Sequence, residues 1–79
     1  MPKQARMPKE IKAPPELTAA AEAALQQNLK PLRAAEILKY EMYRLSMKQT
    51  GDLTAAGLRL GMSRSALQQA VALLEVRLT

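Results

Sequence analysis

The sequence predicts a small all-α protein, and three observations carry that prediction. Its 79 residues contain Ala 14 times and Leu 13 times but only two Ile and two Val, so strong helix formers outweigh β-branched residues. Apolar residues recur at three- and four-residue spacing over long stretches, the signature of helices with one buried stripe. Gly51 and Gly61 are each followed within two residues by a good helix N-cap, Asp52 and Ser63, which marks where helices stop and restart.

The elements follow in order. Residues 1–15 read as a flexible basic arm, because Lys3, Arg6, Lys9 and Lys12 come with too few apolar residues to offset chain entropy. Pro14-Pro15 holds the preceding backbone extended, so the folded domain is expected over residues 16–79. A first helix is predicted over residues 16–29, with Leu17, Ala20, Ala21, Ala24 and Leu25 along one stripe and Glu16 and Glu22 early. Alanine gains little from burial, so this helix needs a partner surface. Pro31 suits the first turn of a second helix over residues 31–49, in which Ala34, Ala35, Leu38, Met42 and Leu45 share a side. Glu41 to Lys48 and Glu36 to Lys39 or Tyr40 fill its other faces, and a surface ion pair of small energy is the default expectation for Lys39. Gly51 ends it; Asp52 caps a third helix over residues 53–60; Gly61 closes that; Ser63 caps a fourth from Arg64 to about Leu78.

Composition narrows function. With no His and no Cys, neither a zinc finger, a haem pocket, a Ser-His-Asp triad nor cysteine chemistry can be assembled. Two Tyr and scattered Ser make no acid–base constellation, so an enzyme is not expected, and neither is a cofactor or a metal. Twelve Lys and Arg against seven Asp and Glu give +5, the footprint of a nucleic-acid binder. A basic surface also suits an anionic membrane, yet no apolar run approaches the ~20 residues of a span, so no membrane partner is expected. The N-terminal basic residues precede no apolar signal stretch, which points to the cytoplasm.

Residues 52–78 hold the point of interest: a short helix, a glycine turn and a longer helix, the pattern of a helix-turn-helix unit. Ala56, Leu60, Met62, Leu67 and Ala70 are placed to meet inside the angle, with Gly57 small where the fourth helix passes close. On the other side of the fourth helix lie Arg64, Ser65, Gln68 and Gln69. Arg pairs in a bidentate way with guanine and Gln with adenine, and Ser reaches a base edge or phosphate, so these four are the candidate base contacts. Thr54 and Ser63 at helix N-termini, with Arg59, Lys48 and Arg44, are candidate phosphate contacts; Lys3, Arg6, Lys9 and Lys12 would add an arm along the groove or backbone.

The run GDLTAAGLRLGMSRSALQQAVALLEVRL resembles the helix-turn-helix of Fis-type proteins and of the LysR-type N-terminal domain, in register from Gly51 through Leu67. Its GMSRSALQQAV portion is also similar to Cro-type repressors and to small TrfB-type plasmid repressors. The likeness covers about 30 of 79 residues and implies a dimeric, nucleoid-associated bacterial DNA-binding protein; the small plasmid and phage repressors imply repression from a palindromic operator. LysR-type proteins continue into a wing, a linker helix and an effector domain, whereas this sequence ends at Thr79, so no small-molecule effector is expected.

Leu73 and Val76 fall off the core stripe of the fourth helix and need cover. A homodimer formed through them, with Leu17 and Leu25 of the first helix, would set two recognition helices about 34 Å apart. Within one subunit they could instead cover the first helix. Tyr40 and Tyr43 suit packing better than base stacking. Two other functions fit the residues: a helical module that docks on and inhibits a polymerase or nuclease, and a Fis-like architectural DNA binder.

Overall fold

The computed structural model describes residues 11–79 and contains four helices. They are α1 (Pro15–Gln26), α2 (Pro31–Thr50), α3 (Leu53–Leu60) and α4 (Arg64–Leu78). No strand occurs among the described residues, so the fold is all-α as the composition predicts. The basic arm expected over residues 1–15 lies mostly outside the described residues, with Lys3, Arg6 and Lys9; residues 11–14 are exposed and non-helical.

Local chemistry sets each boundary. Pro15 and Pro31 occupy first helical turns, where a missing N–H costs nothing. The first helix ends three residues earlier than predicted, because Asn28 adopts a left-handed φ of 59°. There Leu29 N–H reaches the Ala24 carbonyl and Asn28 N–H the Leu25 carbonyl, both at 3.0 Å, a Schellman closure built on Asn instead of Gly. Gly51 and Gly61, both at φ 71°, end α2 and α3. The Asp52 carboxylate accepts from Ala55 N–H at 2.9 Å and the Ser63 hydroxyl from Ala66 N–H at 3.0 Å, so both predicted caps are made.

Helices α2, α3 and α4 pack on one another around a small core. Ala56 and Leu67 are fully enclosed, Leu74 and Gly57 are buried, and Leu60, Met62 and Ala70 are half-buried. Ser46 is the buried polar residue, its hydroxyl donating to the Ala56 carbonyl at 3.3 Å where α3 crosses α2. Two ties fasten α4 to α2 at its far end: Arg77 pairs with Glu36, and Arg33 donates to the Arg77 carbonyl at 2.8 Å. Glu36 thus serves a tertiary ion pair instead of the predicted local pair with Lys39. Glu41 bonds Arg44, one turn along α2, at 2.7 Å.

Helix α1 is different. None of its residues is buried, and it makes no comparable packing with the other three helices. The radius of gyration, 16.1 Å, exceeds the ~11–12 Å of a compact chain this long, and the longest extent is 52 Å.

Candidate nucleic-acid interface

The joint between α3 and α4 is held by one glycine and one turn. Met62 N–H donates to the Gly57 carbonyl at 2.7 Å and Gly61 N–H to the Leu58 carbonyl at 3.1 Å, closing α3 and reversing the chain within residues 61–63. A Cβ on Gly57 would lie 2.6 Å from the Met62 carbonyl oxygen. Gly57 is therefore required by the backbone of the turn itself, a closer neighbour than the body of α4 that the sequence suggested.

Once the turn is fixed, helical phase decides what α4 presents. Leu67, Ala70, Leu74 and Leu78 recur at three and four residues and meet α2 and α3. Arg64, Ser65, Gln68 and Gln69 then fall on the remaining circumference, and all four are exposed in the first two turns. The structure brings these candidate base contacts together on one surface. At the start of α4 the backbone N–H groups of Arg64 and Ser65 lack intrahelical acceptors, and the positive dipole end adds to them. Ser63 accepts the cap bond through its oxygen and keeps its hydroxyl proton free to donate.

The candidate phosphate contacts divide. Thr54 is exposed in the first turn of α3, and Arg59 is exposed near its end, donating to the Gln49 side chain at 2.6 Å. Arg44 and Lys48 flank Ser46 by two residues on either side, which places each about 160° around α2 from that buried position. They therefore sit on the side of α2 turned away from α3. Arg44 is also held there by two hydrogen bonds to Glu41, which lower the Glu41 carboxyl below its ordinary range and raise the Arg44 guanidinium. Lys12 is exposed ahead of α1.

The four residues expected at a dimer contact do not form one patch. Leu17 lines a groove of about 370 Å³ between α1 and α2, opposite Ala34, Ile37 and Leu38, with Leu25 exposed on the same helix. Leu73 lies beside Glu36, Lys39 and Tyr43, on the other side of α2. Val76 shares the outer face of α4 with Ser65, Gln69 and Ala72 and is 76% exposed.

Two polar contacts escape reasoning from the sequence. Tyr40 donates to the Glu75 carboxylate at 3.2 Å, linking α2 to α4. Desolvation, then that bond to an anion, pushes the Tyr40 hydroxyl above its usual value. Ser46 is the other: a small residue between Leu45 and Met47, in the bulky second half of the helix, is the signal that α3 crosses closely there. Among the described residues no helix is long and apolar enough to cross a membrane. Compared with known protein families, curated proteins and solved structures, the chain matches none.

Proposed function

We propose that the chain is a sequence-specific binder of double-stranded DNA that regulates transcription, as a homodimeric repressor excluding polymerase from an inverted-repeat operator. The observation that carries this reading is the α3–α4 joint: two capped helices meet at a three-residue glycine turn, with Arg64, Ser65, Gln68 and Gln69 outward on the first turns of α4. A helix offered in this way enters the major groove with its N-terminal residues toward the base edges. Arg and Gln are the side chains that read guanine and adenine there, while Ser63, Thr54, Arg59 and free helix N–H groups suit phosphates. The resemblance of residues 51–67 to Fis-type, LysR-type and Cro-type helix-turn-helix units supports the same reading, as does the +5 charge. Its place of action would be the nucleoid in a bacterial cytoplasm, on a chromosome, plasmid or phage genome.

Selection from a randomised duplex pool at two salt concentrations tests this, with Arg64→Ala and Gln68→Ala as controls. An enriched inverted repeat that both substitutions relax is the expected result, with Arg64→Ala costing about 1–3 kcal/mol on the preferred site and little on random DNA. Salt-sensitive binding without enrichment would replace the repressor by an architectural binder. Loss of all affinity for DNA would leave α4 as a protein-docking helix.

A further inference from the structure

The outward row of α4 changes character part-way along. Ser65, Gln69, Ala72 and Val76 lie about 140–180° around the helix from the buried Leu67 and Leu74, so this row points most directly away from the core, and all four residues are exposed. Arg64 and Gln68, about 60–120° from the same two leucines, flank the row on one side. That flank is open: Arg33, Arg44, Arg59 and Arg77 each donate to another residue, and Arg64 alone of the arginines among the described residues does not. Within the row, Ser65 and Gln69 carry hydrogen-bonding groups, whereas Ala72 and Val76 are apolar.

We propose that Ala72 is a further specificity-determining contact: its methyl group packs on the 5-methyl group of a thymine, in the base pair next to the one whose adenine Gln69 meets. The proposal rests on the DNA-binding reading above and adds a base contact to it.

Major-groove chemistry selects this partner. Base edges there offer hydrogen-bonding groups and one apolar group, the thymine methyl. The Ala72 side chain has no polar atom, so the methyl is the one feature of a base edge that it can recognise. Gln69 and Ala72 are three residues apart, about 4.5 Å along the helix axis, against a rise of about 3.4 Å between base pairs. A helix lying along the groove therefore sets them over neighbouring pairs, with Gln69 bidentate to adenine in one and Ala72 against thymine in the next. The small side chain also lets the row approach closely, since a longer one at this position would hold Ser65 and Gln69 off the bases. A protein partner seated on Ala72 would cover Gln69 as well, less than one turn away, and so would end base reading by the same row.

Measuring the affinity of the full chain for its selected duplex, with each thymine of the half-site replaced in turn by deoxyuridine, tests the assignment. Deoxyuridine keeps the base pairing and lacks only the methyl group. The expected result is one thymine, beside an adenine whose identity Gln69→Ala relaxes, at which the exchange weakens binding by the parent protein about three- to fivefold. In Ala72→Gly the same exchange should change nothing. Ala72→Ser, which is milder on the helix and sets a hydroxyl against the methyl, should shrink the effect below about twofold. Each protein is compared with itself on two duplexes, so any lost helix stability cancels. No sensitive thymine, a sensitive thymine that Ala72→Gly leaves sensitive, or one not adjacent to the adenine read by Gln69 would each overturn the assignment. A selection that yields no preferred duplex overturns the reading of α4 itself and this contact with it; a preferred duplex without the thymine effect overturns this contact alone.

Discussion

Replacing Gly57 by Ala sets two known effects against each other at one atom. Alanine is favoured over glycine inside a helix by about 1 kcal/mol, so on propensity alone the variant should be more stable. The new Cβ, however, would lie 2.6 Å from the Met62 carbonyl oxygen, and ordinary contact begins near 3.4 Å, so the turn must retreat by about 0.8 Å. That carbonyl is backbone, and its residue is tied to Gly57 through the 2.7 Å bond from Met62 N–H, so no flexible side chain absorbs the shift. Overpacking of this kind costs about 1–3 kcal/mol. The larger part of that range outweighs the propensity gain and leaves a net loss of about 1–2 kcal/mol, or a Tm lowered by about 5–15 °C for a domain this size. Thermal unfolding followed by circular dichroism reads it directly, with Leu58→Ala, on the exposed face of the same helix, as a control expected within about 0.5 kcal/mol. A Gly57→Ala protein as stable as the parent, or more so, would refute the reasoning, because it would mean the turn does not press on α3.

Leu67→Ala empties the one large side chain with no exposed surface among the described residues and should cost about 2–5 kcal/mol in denaturant unfolding, enough to unfold a core this small. Ser63→Ala removes the cap on Ala66 N–H and should cost about 0.5–2 kcal/mol, with Ser63→Asp recovering most of it; equal stability of the Ser and Ala forms would show the cap to be idle. Tyr40 should ionise above the usual tyrosine range by absorbance at 295 nm, and Glu75→Gln should bring its titration down. The sign for folding follows: a raised folded value means the contribution of Tyr40 is complete below the unfolded pKa and is lost as pH rises through the folded one. Tyr40→Phe should abolish that alkaline loss.

The four helices were legible because their punctuation is local: Pro31, Gly51, Asp52, Gly61 and Ser63 act within a turn of themselves, and each does in the structure what its chemistry predicts. The end of α1 was less legible because Asn is only occasionally left-handed, and nothing adjacent to Asn28 distinguishes that choice from three more residues of helix. Long-range partners were illegible for a different reason. Glu36 has Lys39 three residues away, yet its partner is Arg77, whose position depends on how α4 crosses α2, a packing result that no spacing encodes. The placement of Arg64, Ser65, Gln68 and Gln69 on one exposed surface was foreseeable once Leu67 and Leu74 were assigned to the core, since one helix has one phase. Grouping Leu17 with Leu73 required a knowledge of which side of α2 each would meet, and the structure sets them on different sides.

Helix α2 explains why the molecule divides as it does. One side of it carries Ser46, small enough for α3 to approach its backbone, with Tyr40 and Glu36 making polar ties to α4. These contacts fix the orientation of α4 through α2 and α3 alone, without help from α1. Next to it Met42 and Leu45 edge a cleft with Arg59 and Leu60 of α3, and Leu38 faces the groove beside α1; all three stay partly exposed, although burying apolar surface there would stabilise the chain more than another surface ion pair. A chain whose only task was to present α4 would gain from folding α1 tightly over that side, and its four-residue link to α2 is long enough for a helical hairpin. Instead α1 stands off, and its groove side is mostly alanine, which lets helices approach closely but anchors weakly one against one. Close approach becomes favourable when several helices share a core, so these alanines leave α1 a poor cover for α2 alone.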